Sequence, residues 1–473
     1  MIDTSLALKR IWALAQIPER EKQEIDEGEL QQRIARWIER ELGAEVESIR
    51  RQDRWRPAWF VKSRRGAVEL PLYVRGERNV RQGWPLDLEM RITQVLFEEG
   101  IPVPRIYGMC DDPKAIVMQW VQGSRDLSGY TFDEKQKIER QYVEILARLH
   151  SIDISRFTAI GLEAPRTRKE IASAFIGPAR AAFVAQKVAP DGFVAFLDRW
   201  IDEHIPPELI DVSLVTGDPG QFLVQDGQIT ALHDFETAHL GSPWTDVACL
   251  RVREFPRELD EEEPLTDAVM LMKHYASIRN RTLDPTILNF FHLLLAASTF
   301  YVIHPNFHMA RADLAVWRKW EIRAARQVLG CMADIHGIQL ETVAPPQEAF
   351  REDILTFESL RMAIEGLATR SAMDIFNKDN ALALVSSLAA SSRIGAQLAE
   401  QECNDVEMLT GIRPASSLET ESLIERAVRD GAPDESLIHF FNRRSQRRRF
   451  IIAQAYPNLW QYELPPLSTR LAS

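Results

Sequence analysis

Residues 212–250 read VSLVTGDPGQFLVQDGQITALHDFETAHLGSPWTDVACL. Three short apolar runs stand in this stretch: Val212–Val215, Phe222–Val224 and Ile229–Leu232. Each is bounded by Gly, Pro or Asp, the pattern of a buried strand with a loop at each end. Gln225-Asp226-Gly227-Gln228 predicts a hairpin turn, because glycine supplies the positive φ that such turns need. The hairpin sets Asp218, on the loop before its first strand, beside Asp234, just past its second.

Asp is an ordinary turn residue. Two carboxylates at the ends of neighbouring strands, however, suit phosphoryl transfer. One accepts the proton of an attacking hydroxyl, and the other holds Mg²⁺ against the phosphates of a nucleotide. Mg²⁺ needs few protein ligands, because phosphates and water complete its shell. The stretch resembles the catalytic core of the aminoglycoside phosphotransferase family, small-molecule kinases with a protein-kinase-like fold. Thr216-Gly217-Asp218, Asp234-Phe235-Glu236 and Gly241-Ser242-Pro243-Trp244-Thr245-Asp246 follow that family's motifs in order. Two departures are plain: Thr216 stands where the family has His, and the loop is about two residues shorter, with Gln221 near the place of a metal-binding Asn. The resemblance implies Asp218 as general base, Asp234 as main Mg²⁺ ligand, Gln221 and Glu236 as auxiliary ligands, and Asp246 as a structural brace.

Working back toward the N-terminus, Glu29–Leu42 has apolar residues at helical spacing, and Val46–Arg50, Ala58–Val61 and Leu70–Val74 read as strands. A kinase-like lobe carries a glycine-rich turn over the phosphates. Here the turn 52–57, QDRWRP, holds no glycine. Its arginines, Arg54 and Arg56, either supply phosphate donors instead or form an exposed basic turn. Arg75 stands where the kinase template has its phosphate-binding Lys, and Glu89, in the first turn of a helix over 87–99, is its expected partner. The segment Ile101-Pro102-Val103-Pro104 and the run Met118-Gln119-Trp120-Val121-Gln122-Gly123 resemble the family's approach to the hinge, where backbone groups pair with the nucleotide base. His150, ending an amphipathic helix over 132–152, is read as core or cap. Helices within 154–211 carry Phe175, Phe183, Phe193 and Trp200, either plain core or the wall of an acceptor pocket.

Past Asp246 an acidic run, Glu258–Glu263, leads into three helices near 266–279, 285–303 and 310–338. Leu340–Gln347, with its Pro pair, reads as a boundary. Residues 351–473 read as a separate helical module that the resemblance does not cover. Its last helix carries Arg443, Arg444, Arg447, Arg448 and Arg449, expected to form a solvated face. The expected organisation is leading helices and an N-lobe over 1–123, a C-lobe over 124–344, and the helical module over 351–473: an α+β, protein-kinase-like bilobal fold with an all-helical addition.

The chain has 473 residues and a net charge of -12, which argues against broad nucleic-acid binding. Its four cysteines, Cys110, Cys249, Cys331 and Cys403, match no zinc or CxxC spacing and read as thiols of a reducing compartment. No signal peptide is evident at Met1–Ser5, and Ile287–Ile303 is too short and too polar for a membrane span. The expectation is a cytoplasmic kinase that moves the γ-phosphoryl of ATP or GTP, with Mg²⁺, onto a hydroxyl of a small molecule. Its nucleotide is held by Arg75, Glu89 and the backbone of Met118, Gln119, Trp120 and Val121. No nucleic-acid or membrane partner is expected, and the oligomeric state is open. The departures from the family pattern keep a second reading open, a pseudokinase or nucleotide-sensing scaffold.

Overall fold

The computed structural model of the chain describes residues 27–52, 56–77, 85–187, 189–209, 211–218, 220–254, 266–302, 314–348, 353–370, 372–456 and 465–472. The expected leading helix before residue 27, Arg54 and the acidic run at 258–263 lie outside them. Packing divides the chain into two units, one within residues 1–178, 209–254 and 265–283, the other within 179–208, 255–264 and 284–473.

The first unit opens with helix Glu27–Leu42, whose Ile34, Trp37 and Ile38 recur on one face and are buried. An antiparallel sheet follows: β1 (Glu45–Arg51), β2 (Ala58–Arg65), β3 (Val68–Glu69), β4 (Leu72–Gly76), β5 (Ile106–Asp111) and β6 (Lys114–Gln119). The strands lie in the order β1-β2-β4-β6-β5, with β3 on β2. Side chains alternate across a strand. Leu72 and Val74 therefore join Trp59, Val61 and Val117 against the first helix. Tyr73 turns the other way, toward Ile116, Met118 and Leu86 of helix Leu86–Glu98. Each large apolar side chain buried in this sandwich contributes about 1.5–3 kcal/mol.

Helix Phe132–Leu149 starts on a capping box, Thr131 with Glu134, and buries Ile138, Tyr142, Val143, Ile145, Leu146 and Leu149. Two strand pairs follow. β7 (Ser213–Val215) pairs antiparallel with β10 (His239–Gly241), and β8 (Phe222–Gln225) pairs with β9 (Gln228–Leu232). Asp226 at φ 51° and Gly227 at φ 74° make the expected hairpin turn. Helices Trp244–Cys249 and Ala268–Arg279 complete the unit. This is the expected α+β, protein-kinase-like architecture.

The second unit is helical among its described residues, and it regroups what the sequence separates. Helices Gly192–Glu203, Pro285–Val302 and Leu314–His336 fall in the same unit as Ala372–Thr410, Ser417–Arg429 and Asp434–Ile452. The cause is shared apolar packing. Phe193 sits 4.7 Å from Phe300 and 5.0 Å from Phe441 by ring centroids, and Ala315 and Ile322 pack with Ala383, Ile452 and Tyr456. The arginine row of the last long helix is a solvated face only in part: Arg448 is exposed, and Arg443 and Arg449 are half-buried. Arg444 and Arg447 are buried, Arg444 between Glu402 at 2.7 Å and Glu421 at 2.9 Å, and Arg447 on Asp405 at 2.5 Å. Among the described residues no helix is long and apolar enough to cross a membrane.

Candidate active site

The β2–β4–β6 register fixes the first half of the site. Arg75 opposes Ala58 on one side and Ile116 on the other, so it shares the sheet face of Tyr73 and points toward helix Leu86–Glu98. There its Nε lies 3.0 Å from Glu89 Oε1. One of its terminal nitrogens donates to Asp234 and lies 3.9 Å from Glu236 Oε2. Arg56, two residues before β2, donates to Glu236 and sits 3.6 Å from Glu89 Oε2. Gly76 permits this close approach: its N–H donates to the Pro57 carbonyl at 2.8 Å, and a Cβ there would stand 2.9 Å from that oxygen.

Two guanidinium groups and three carboxylates thus share one cluster, each side chain at most 13% exposed. Burial opposes the charge on Arg75, but Glu89, Asp234 and Glu236 outweigh it and hold the guanidinium above its ordinary range. Asp234 itself has a left-handed backbone, φ 69° and ψ 58°, at the bend between β9 and a short 3-10 turn, Phe235–Thr237. Such a conformation is uncommon outside glycine, though Asp tolerates it best.

The loop carrying Asp218 is held from below. Asp246 Oδ1 accepts from Gly217 N–H and from the Thr216 hydroxyl, both at 3.0 Å, and Oδ2 accepts from Thr216 N–H at 2.8 Å. His150 Nε2 lies 3.2 Å from Oδ2, and a carboxylate only accepts, so that nitrogen carries the proton. The other ring nitrogen faces the Tyr275 hydroxyl at 2.8 Å. Burial alone would raise the Asp246 carboxyl, but His150 and the Thr216 and Gly217 N–H groups outweigh it and keep it below the usual carboxylate range. Gly217, at φ 72°, passes close under the Thr237 carbonyl, and the Thr237 hydroxyl donates to Thr216 O at 3.0 Å. Gly220 N–H donates to the Tyr142 hydroxyl at 3.1 Å. Asp218 receives the Gln221 amide at 2.6 Å.

Asp234, Glu236 and the side-chain carbonyl of Gln221 are hard oxygen donors, the kind Mg²⁺ takes. Gln221 Oε1 is buried with no hydrogen-bond partner, and Gln221's own carbonyl accepts from His233 N–H at 3.0 Å, which ties it to the strand end before Asp234. The set fits the expected cation.

Along the expected hinge, Met118 opposes Tyr73 in β4, Gln119 N–H donates to Arg105 O at 2.8 Å, and Trp120 N–H donates to Pro71 O at 3.1 Å. The chain then passes Val121 and turns at Gly123, φ 141°, where a Cβ would stand 2.9 Å from Thr230 Oγ1. The structure therefore brings Arg75, Glu89, Asp234 and Glu236 into contact, joins Gln221 to Asp218, and makes His150 and Asp246 a brace. Sequence reasoning left out Tyr142 and the acidic partner of Arg56. Tyr142 lies within the amphipathic helix pattern without a signal of its own, and the partners of its hydroxyl and of the Arg56 guanidinium are not visible in a linear pattern.

A second group of possible ligands lies in the other unit, where donor atoms of His204, His336 and Asp434 fall within 4.8 Å of one another. Their capacity is already used. Trp200 donates its indole N–H to His336 Nε2 at 3.0 Å, and Arg199 holds Asp434 Oδ1 at 2.5 Å. We read the group as a latch between helix ends.

The cluster thus sets a sheet-borne arginine against a helix glutamate and acidic residues at a strand end. Residues 42–270 match the family model described as "Phosphotransferase enzyme family" (APH). The chain is 28% identical over 225 residues to Acyl-CoA dehydrogenase family member 11 of Rattus norvegicus, covering 43% of this chain and 28% of the relative. It is 29% identical over 178 residues to the Homo sapiens protein of the same name, covering 34% and 22%. The chain thus spans less than a third of the length of these curated relatives. Among solved structures it is similar to macrolide 2'-phosphotransferase MphH from Brachybacterium faecium, with TM-score 0.43 and 17% identity over 62% of this chain and 97% of that one. It is also similar to a thermostable mutant of aminoglycoside phosphotransferase APH(4)-Ia in a ternary complex with AMP-PNP and hygromycin B, with TM-score 0.45 and 16% identity over 62% and 98%.

Proposed function

We propose that the protein is a kinase that moves the γ-phosphoryl of ATP or GTP onto a hydroxyl group of a small-molecule acceptor. The buried contact of Arg75 with both Glu89 and Asp234 carries the reading. It joins the sheet, the adjoining helix and the strand-end acid in the arrangement that phosphoryl transfer uses. In this reading Asp218 takes the proton of the acceptor hydroxyl as it attacks. Gln221 orients that carboxylate by donating to one of its oxygens. Asp246 and His150 fix the loop, so the base does not drift between turnovers. Asp234, Glu236 and Gln221 would hold Mg²⁺, which when bound neutralises charge on the phosphate oxygens. Arg75 turns its fork to those oxygens, steadied at Nε by Glu89. The base would be met by backbone groups of Met118, Gln119, Trp120 and Val121 other than the Gln119 and Trp120 N–H groups, which Arg105 O and Pro71 O already take. The four cysteines are free thiols, which supports a reducing, cytoplasmic setting.

The test is a screen of hydroxyl compounds for nucleotide consumption with ATP and with GTP, each in Mg²⁺. Conversion of at least one compound to its phosphomonoester is the expected result. Thr216 in place of His and the glycine-free turn give the nucleotide-sensing reading its own support. Tight nucleotide binding with no turnover across the library would establish that reading instead.

A further inference from the structure

We propose that Arg56 is a second phosphate-binding arginine, taking the part of the glycine-rich turn that this chain lacks, and that it exchanges Glu236 for nucleotide phosphate when the site loads. The inference rests on the kinase reading and names how that site grips its nucleotide.

Three observations carry it. The first is position. Arg56 stands two residues before β2, and Ala58 opposes Arg75, so the turn's last arginine stands on the sheet face that presents Arg75 to the acids. A glycine-rich turn works by bringing backbone N–H groups to phosphate, and residues 52–57 contain no glycine and end in a proline without an N–H. A guanidinium at the end of this turn restores the missing donors.

The second is unused donor capacity. Arg56 is 3% exposed, yet its Nε and Nη1 have no hydrogen-bond partner among the described residues. Its contact with Glu89 is 3.6 Å, beyond hydrogen-bond range, so among the described residues Glu236 is its single close partner. Buried N–H groups are rarely left unpaired, and those that persist call for an explanation. A phosphate oxygen is the acceptor such a group fits.

The third is charge. The cluster holds Arg56, Arg75, Glu89, Asp234 and Glu236, one negative charge in excess. Once Asp234 and Glu236 are engaged by a cation, Glu89 is left to serve two guanidinium groups. Its ion pair with Arg75, at 3.0 Å, is closer than its ion pair with Arg56, at 3.6 Å. Arg56 is therefore the group released toward phosphate, and Arg75 the one that stays anchored.

The experiment measures binding to the full-length protein in Mg²⁺ by calorimetry, with ATP, inorganic tripolyphosphate and adenosine as probes, for wild type, Arg56→Lys and Arg56→Ala. Melting of each unliganded variant checks that it is folded. Arg56→Lys keeps a cation beside Glu236 but loses the fork. It should weaken ATP and tripolyphosphate by about tenfold or more, the worth of one charge-assisted hydrogen bond, and leave adenosine unchanged. Arg56→Ala should weaken the two phosphate probes further. Equal ATP affinity in wild type and Arg56→Lys overturns the inference and leaves the kinase reading standing. Parallel loss of ATP and adenosine also overturns it, since that marks a structural role. A wild-type protein that binds neither ATP nor tripolyphosphate overturns the kinase reading itself and the inference with it.

Discussion

Asp246 offers the sharpest energetic test of how the Asp218 loop is held. Its carboxylate lies fully buried and takes hydrogen bonds from Thr216 N–H, the Thr216 hydroxyl, Gly217 N–H and His150. Replacing it with alanine strands two buried backbone donors. Each costs about 1–3 kcal/mol, so Asp246→Ala should destabilise the protein by about 2–6 kcal/mol. That is a large share of the ~5–15 kcal/mol that keeps a typical domain folded. Asp246→Asn retains one carbonyl oxygen but sets an NH₂ against N–H donors, and should cost about 1–3 kcal/mol. The effect depends on pH in a defined direction. Burial raises this carboxyl, but His150 and the two N–H groups prevail, so its folded value lies below the ~3.9 of an unfolded chain. A depressed carboxyl stabilises fully above the unfolded value and loses that contribution as pH falls through the folded one. Wild type should therefore lose stability below about pH 4 more steeply than Asp246→Asn does. Urea unfolding followed by tryptophan fluorescence, at neutral pH and in acid, measures both effects. An Asp246→Ala protein within about 0.5 kcal/mol of wild type would refute the reasoning, since that is the range of an uninvolved surface position.

Two further outcomes follow from the cluster. Arg75→Lys keeps the charge but cannot reach Glu89 and phosphate together, and should lower kcat/KM by about ten- to a hundredfold, one charged hydrogen bond's worth. Glu89→Gln should lower the same parameter, and steady-state kinetics of the double variant should show less than the sum of the two losses; strict additivity would mean the pair does not act as a unit. Gly76→Ala places a Cβ 2.9 Å from the Pro57 carbonyl and should push β4 from the chain at Arg56, with a cost of about 1–3 kcal/mol by thermal or urea unfolding. An unchanged midpoint would show that the two segments yield without penalty.

The hairpin and both loop aspartates are legible in the sequence because they depend on local signals: an Asp-Gly turn, apolar runs of strand length, and acids at their ends. The meeting of Arg75 with Glu89 is legible through the kinase template, which pairs a third-strand cation with an acid of the next helix. What escapes is pairing between distant segments. Arg56 reads equally as a phosphate donor or an exposed turn residue until Glu236, 180 positions away, is folded against it. Arg444 and Arg447 read as a solvated helix face because their acids, Glu402, Asp405 and Glu421, belong to two other helices. The division of the chain escapes for the same reason: Phe193 packs on Phe441, a contact with no trace in local composition.

The central claim is a division of labour between Asp218, which acts on the acceptor, and Asp234, which acts on the nucleotide. Single-turnover transfer of labelled γ-phosphate to an acceptor found in the hydroxyl screen, measured beside Mg²⁺-dependent ATP affinity in the same preparations, tests it directly. Asp218→Asn should bind Mg²⁺·ATP nearly as wild type does and transfer label slower by orders of magnitude, because the group acts mainly in the transition state. Asp234→Ala should lose the Mg²⁺-dependent part of its ATP affinity. Near-normal transfer by Asp218→Asn, or ATP affinity in Asp234→Ala that responds to Mg²⁺ as wild type does, would contradict the account.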